Sequence, residues 1–367
     1  MEKLKVIISG GGTGGHIFPA LSIAGELKKR VPGCDILFVG ALGRMEMEKV
    51  PAAGYPIIGL PVMGFPRKPG VAMVKFGVML LRSMIKARRI IREFGPDLAI
   101  GVGGYASGPL LRAAVARKIP ALIQEQNSWA GVTNQLLAKK AARVCVAYEG
   151  MERFFPAGKI VLTGNPVREN LLAPGQNRTQ ALAHFGLPEG EKVLLITGGS
   201  LGARSLNEAV LANLSTIREA SWKVIWQTGS LYYGEMINKT AGHLPDNLLI
   251  YKFLDRMDLA YLAAGVVVSR AGAGTISELC IAGLPAILVP SPNVAEDHQT
   301  RNAMALVEKN AAIMIRDAAI KEELFPMVAR LMEDPAERGT LSVNIKKLAL
   351  PGATAQIVDE ALRLIRK

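Results

Sequence analysis

Lys5-Val6-Ile7-Ile8-Ser9 runs into Gly10-Gly11-Gly12-Thr13-Gly14-Gly15-His16, and Lys192-Val193-Leu194-Leu195-Ile196-Thr197 runs into Gly198-Gly199-Ser200-Leu201-Gly202-Ala203-Arg204. Each stretch is an apolar run rich in β-branched residues that stops at glycines and then turns helical. A strand, a glycine turn and a helix start together make an anion site, because bare backbone exposes amides and the helix dipole favours negative charge. Two such units predict two α/β halves with a nucleotide between them.

Strands alternate with helical patterns along the whole chain, which predicts doubly wound parallel sheets with helices on both faces. Apolar runs place strands at 4–9, 35–40, 57–60, 97–101, 120–124, 143–147 and 160–163, then at 192–197, 222–227, 248–251, 266–269, 286–290 and 312–315. Thr163-Gly164-Asn165-Pro166-Val167-Arg168 punctuates the joint. The expected domains are 1–164, joined by a last helix within 353–367, and 165–352. The halves share a second signature: Gly101-Val102-Gly103-Gly104 follows one strand and Ala271-Gly272-Ala273-Gly274 follows another. Glycine loops at strand ends are where open α/β sheets bind ligands.

At 367 residues, half of them hydrophobic, the chain suits two cored domains. Cys34, Cys145 and Cys280 are odd in number and lack metal-like spacing, as expected of buried, reduced thiols. A strand begins within a few residues of Met1, which argues against a signal peptide, and no apolar run reaches the ~20 residues that span a bilayer. The formal net charge is +13. Between Glu48 and Glu93 there is no acid, yet Lys49, Arg67, Lys68, Lys75, Arg82, Lys86, Arg88, Arg89 and Arg92 lie there among Phe65, Phe76, Met79 and other apolar residues. As a helix from about 71 to 92, Val74, Val78, Leu81 and Ile85 share a face beside a strip of Lys75, Arg82, Lys86 and Arg89. Such a helix either packs in the core or enters an anionic leaflet. Nucleic acid would want base-reading side chains among the cations, and few are present.

Gly10-x-Gly12-x-x-Gly15 matches the dinucleotide fingerprint, which alone is weak. The second strand should then end on a ribose-binding acid. It ends Phe38-Val39-Gly40-Ala41, and its counterpart ends Trp226-Gln227-Thr228-Gly229, so a nicotinamide dehydrogenase is disfavoured. Neither a P-loop lysine motif nor a metal-binding Asp-x-Asp is present.

Gly11–Ala20, Gly103-Gly104-Tyr105-Ala106-Ser107-Gly108-Pro109, Glu125-Gln126-Asn127, Gly164–Arg168 and Gly199–Arg204 resemble the glycine loops of the MurG family of peptidoglycan glycosyltransferases. Ser269-Arg270-Ala271-Gly272-Ala273-Gly274-Thr275-Ile276-Ser277-Glu278, followed by Gly283-Leu284-Pro285, resembles that family's nucleotide-binding element. The resemblance spans the chain in order. It implies the GT-B fold, with two Rossmann-like domains and a deep interdomain cleft. It also implies inverting transfer of N-acetylglucosamine from UDP-GlcNAc to the muramoyl 4-hydroxyl of undecaprenyl-linked lipid I, with no cofactor and no metal. A peripheral protein on the cytoplasmic membrane face follows, with other cell-wall synthesis proteins as possible partners.

The same resemblance implies residue roles. Glu278 would accept the ribose hydroxyls, the alternative being an acid that complements a helix dipole. Ser200 would bind diphosphate, or act as an N-cap, and Arg168 would neutralise the leaving group. The uracil would read backbone at Phe253-Leu254, and Ala273, Gly274, Thr275, Ile276 and Ser277 would belong to the nucleotide-binding element. Gln299 and Asn302 would hold the sugar. Thr13, Gly14, Gly15 and Asn127 would line the opposing wall, with Gly103, Gly104 and Tyr105 at the acceptor diphosphate. His16, inside a glycine loop and one of only four histidines, suits a base working near neutral pH; a phosphate-binding or capping histidine is the alternative. Three other functions remain open: a membrane transferase acting on diacylglycerol, a GT-B-fold UDP-GlcNAc epimerase, and a non-catalytic nucleotide-sugar binder.

Overall fold

A computed structural model of the chain describes residues 3–64, 66, 70–168, 171 and 175–365. Phe65, Arg67 and Lys68 of the basic stretch lie outside the described residues. The chain divides into two compact units, Met1–Val167 with Leu350–Lys367, and Arg168–Ala349.

The first unit holds β1 (Lys5–Ser9), β2 (Asp35–Ala41), β3 (Ile57–Leu60), β4 (Leu98–Gly101), β5 (Ala121–Glu125), β6 (Arg143–Val146) and β7 (Ile160–Leu162). They form one sheet in the order β3-β2-β1-β4-β5-β6-β7, every pair parallel. β1 is central, with Val6 opposite Ile36 on one side and Leu98 on the other. Burial on both faces explains why its sequence is continuously apolar rather than alternating. Val6 and Ile8 face a layer containing Ile17 and Ile23 of α1 (Gly14–Arg30). Ile7 faces the opposite layer, with Ile90, Ile91 and Leu110. The last helix, Ala353–Arg363, packs Ile357 and Val358 into the α1 layer, where Arg30 pairs with Asp359 and Arg143 reaches Glu360 at 3.4 Å.

The second unit repeats the plan. β8 (Val193–Thr197), β9 (Lys223–Gln227), β10 (Leu248–Tyr251), β11 (Val266–Ser269), β12 (Ala286–Leu288) and β13 (Ile313–Met314) form a parallel sheet in the order β10-β9-β8-β11-β12-β13. In each sheet the order reverses beside the first strand, between β1 and β4 and between β8 and β11. That crevice at the strand ends is the ligand position of doubly wound folds. The glycine loops open there in both units.

Candidate functional site

In the first unit the loop after β1 meets the loop after β4. Gly104 (φ +86°) sits so close to Gly11 that a Cβ would lie 2.4 Å from the Gly11 carbonyl oxygen, so only glycine fits. His16, in the first turn of α1, lies half-buried against this junction. Its Nδ1 is 3.1 Å from the Gly11 carbonyl oxygen and 3.4 Å from Thr13 Oγ1. A carbonyl only accepts, so Nδ1 carries the hydrogen and Nε2 holds the basic lone pair. Nε2 lies at the Gly103 backbone, where a Cβ would stand 2.8 Å away. Thr13 N-caps α1, with Thr13 and Gly15 exposed and Gly14 half-buried. Tyr105 is half exposed, its hydroxyl close over Gly64. Asn127 is held by Glu125, whose Oε1 accepts from the Asn127 amide at 3.1 Å and from its Nδ2 at 3.3 Å. Glu125 itself is buried, and its other oxygen accepts from Gly131 N and Asn134 Nδ2. Burial pushes its carboxyl up, while these donors oppose the shift.

One expectation needs correction here. The Gly12 amide does not await a phosphate, because it donates to Glu46 Oε2 at 2.9 Å. Glu46 opens the short helix α2 (Glu46–Ala52), has no exposed surface, and accepts from the Ala41 amide at 2.9 Å through Oε1. A carboxylate thus does reach the end of β2, but from five residues beyond it.

In the second unit Gly202 (φ +92°) presses on the loop after β9, since a Cβ there would lie 2.1 Å from the Thr228 carbonyl oxygen. Ser200 is exposed on this turn. It does not cap the following helix, Arg204–Ala212, whose N-cap is Ala203. Gln227, buried at the end of β9, donates to Thr197 Oγ1 and the Gly199 carbonyl at 3.0 Å each and accepts from the Leu254 amide at 2.9 Å. The Leu254 amide is therefore already engaged.

Glu278 is the sixth residue of its helix, Ala273–Ala282, so it is no first-turn dipole partner. It is 9% exposed. Its Oε1 meets Arg168 Nε at 3.1 Å, and its Oε2 accepts from the buried Tyr261 hydroxyl at 3.0 Å. Burial raises the Glu278 carboxyl above its usual range, with Arg168 and Tyr261 pulling the other way. Tyr261 was not legible as a site residue. Ala273, Gly274, Thr275 and Ser277 are half-buried, and Ile276 is buried with its side chain in the packing. Gln299 is half-buried and accepts from the Ser291 amide at 2.9 Å. Asn302 departs from expectation: it has no exposed surface and reaches the Ala271 carbonyl at 3.5 Å. Through that contact it braces the loop that follows β11.

The basic helix α3 spans Val71–Phe94 and buries only Ser83, Ala87, Ile90 and Ile91. Val74, Val78, Leu81 and Ile85, the expected apolar face, are all exposed. Lys75 and Arg82 are exposed, Phe76, Met79 and Lys86 half-buried, and Arg89 pairs with Glu93 at 2.7 Å. Pro61, Val71, Val74, Lys75, Val78, Met79 and Arg82 line an almost wholly apolar groove of about 520 Å³. Among the described residues no helix is long and apolar enough to cross a membrane, and no cluster of three metal-ligating side chains occurs.

Residues 6–146 match the glycosyltransferase family 28 N-terminal domain, and residues 193–355 match the family 28 C-terminal domain. The chain is 55% identical, over 100% of both chains, to a Parabacteroides distasonis UDP-N-acetylglucosamine–N-acetylmuramyl-(pentapeptide) pyrophosphoryl-undecaprenol N-acetylglucosamine transferase. A transferase of the same description from Flavobacterium psychrophilum is 49% identical over 100% of this chain and 99% of its own length. Among solved structures, the crystal structure of Acinetobacter baumannii MurG superposes with a TM-score of 0.80 at 29% identity, covering 99% of this chain and 100% of that one. A Neisseria meningitidis UDP-GlcNAc 2-epimerase shares the fold alone, at 14% identity and a TM-score of 0.67 over 99% of this chain and 100% of that one.

Proposed function

This chain belongs to glycosyltransferase family 28 and has the GT-B fold, and from that premise we propose how it carries out its reaction. The reaction is the transfer of N-acetylglucosamine from UDP-GlcNAc to the undecaprenyl-pyrophosphoryl N-acetylmuramyl-pentapeptide acceptor, lipid I. The observation that carries this reading is the 55% identity over the full chain to a transferase of that description.

The second unit holds the donor. Glu278, with two acceptor oxygens, takes the ribose hydroxyls, and Tyr261 keeps the carboxylate aimed. Arg168, 43% exposed in its side chain, exchanges Glu278 for the diphosphate as the donor arrives. Ser200 and the amides of its turn complete the diphosphate contact, and Gln299 meets the sugar. The first unit holds the acceptor near Gly103, Gly104, Tyr105 and Asn127. His16 Nε2 removes the proton of the muramoyl 4-hydroxyl as that oxygen attacks the anomeric carbon. The bond from that carbon to the diphosphate breaks with its electron pair leaving on UDP, and the configuration inverts in one displacement.

A polyprenyl acceptor places the reaction at a bilayer, and α3 provides the contact: exposed Val74, Val78, Leu81 and Ile85 enter the headgroup region while Lys75, Arg82 and Lys86 meet anionic phosphates. The cytoplasmic leaflet, anionic and reached by UDP-GlcNAc, is the surface proposed. NMR of the disaccharide formed on a lipid I analogue tests the single displacement. A β linkage is expected from the α-linked donor; an α linkage would contradict the single inverting displacement.

A further inference from the structure

The two glycine loops are built alike but filled differently. In the second unit the turn after β8 is steadied by neutral groups: the Gly199 amide donates to Thr197 Oγ1 at 3.2 Å and its carbonyl accepts from Gln227. In the first unit a carboxylate stands in that role. Glu46 has no exposed surface, and its oxygens accept from the Gly12 and Ala41 amides. Gly11 and Gly40 make the room, since a Cβ would lie 2.1 Å from Glu46 Oε1 at the first and 2.5 Å from its Cγ at the second. Among the described residues Glu46 has no ion-pair partner. A buried carboxylate held only by amides is costly, so a loop built around one has a use for it.

We propose that Glu46 is a positioning residue for the transfer: a built-in anion that fills the phosphate place of the first glycine loop and fixes the Gly11 carbonyl on His16 Nδ1. The Gly12 amide that would greet a ligand phosphate is taken by the Glu46 carboxylate. The same grip holds Gly11-Gly12 rigid, so the carbonyl 3.1 Å from Nδ1 locks the imidazole in the tautomer whose Nε2 can accept a proton. This second effect rests on His16 being the base.

The test combines ¹⁵N NMR of His16 with kinetics of Glu46→Gln. In the parent the neutral imidazole should carry its hydrogen on Nδ1; an Nε2-protonated ring would overturn the proposal without any variant. Gln keeps the shape but turns a donor toward one of the two amides, so the His16 tautomer should become mixed. kcat should fall about 10- to 100-fold, the scale of a small misplacement in a reacting site. KM for UDP-GlcNAc and the Kd of UDP should stay within about twofold, the latter also reporting that the protein is folded. In a His16→Ala background Glu46→Gln should cost less than about threefold more, because both act through one group. Retained kcat in Glu46→Gln, or an equal loss with and without His16, would overturn the role. Should His16→Ala alone leave kcat intact, the base reading has failed by itself, and the tautomer comparison still decides on Glu46.

Discussion

Replacing Glu278 by Gln should separate donor binding from folding. The carboxylate has two partners: Arg168 Nε at 3.1 Å and the Tyr261 hydroxyl at 3.0 Å. Arg168 is 43% exposed in its side chain, so losing this pair returns it to water at a stability cost under about 1 kcal/mol. The Tyr261 hydroxyl is buried, but the Gln carbonyl can still accept from it. Removing a buried charge also relieves its desolvation, so the net change in stability should fall within about 1 kcal/mol. Donor binding behaves differently. A hydrogen bond to a charged group is worth ~1.5–3 kcal/mol, so Kd for UDP should rise roughly 10- to 150-fold. Glu278→Ala should lose as much affinity and in addition strand the Tyr261 hydroxyl, at about 1–3 kcal/mol of stability. Titration calorimetry with UDP and thermal unfolding read the two quantities separately.

The pH dependence carries a further check. Burial raises the Glu278 carboxyl above the usual range, so it protonates at a higher pH than a free glutamate near ~4.3. For an acid raised in the folded state, acidification relieves a buried charge rather than removing a stabilising one, so folding gains from Glu278 as pH falls. UDP affinity should nevertheless weaken over the same window. Unchanged UDP affinity in folded Glu278→Gln, or affinity that is flat through that window, would refute the assignment of Glu278 to the ribose.

Other expectations concern separate parts of the molecule. His16→Ala should lower kcat by ~10²–10⁴ with UDP binding kept, and the acidic limb of kcat/KM should vanish from the residual rate; a weakened substrate Kd with that limb intact would make His16 a phosphate ligand instead. Changing Lys75, Arg82 and Lys86 to Gln should remove roughly 1 kcal/mol of anionic-vesicle binding per charge in a salt-sensitive way, whereas Arg89, paired with Glu93, should matter less. Equal sedimentation of variant and parent with such vesicles would move the membrane contact off α3. Burial pushes the Cys145 and Cys280 thiols up to about 12 and raises Cys34, so mass spectrometry after alkylation at pH 8 should find all three unmodified until the protein is unfolded. Rapid labelling of any of them in the native protein would contradict the packing described.

Most of the strands among the described residues were legible because parallel strands buried on both faces are written as continuous apolar runs, many of them closed by glycine or proline. The loops Gly10–Gly15, Gly103-Gly104 and Gly198–Gly202 were legible for the same local reason. Glu46, Gln227 and Tyr261 were not. Each acts across the sheet order, Glu46 on a loop 34 residues away, Gln227 on Leu254 and Tyr261 on Glu278, and no local pattern encodes such a meeting. Asn302 shows the converse, since its place in the chain suits a sugar contact while full burial turns it inward. The periodicity of α3 revealed an apolar arc beside a cationic strip but not which side faced outward. Packing decided that: Ser83, Ala87, Ile90 and Ile91 face inward and Val74, Val78, Leu81 and Ile85 do not.

The central claim is tested most directly by following labelled N-acetylglucosamine from UDP-GlcNAc in three parallel reactions: with a lipid I analogue, with diacylglycerol, and with no acceptor. Label should pass to the lipid I analogue with one UDP released per transfer, and to nothing in the other two. Label on diacylglycerol with none on lipid I, or conversion of the donor to UDP-ManNAc without an acceptor, would contradict the account.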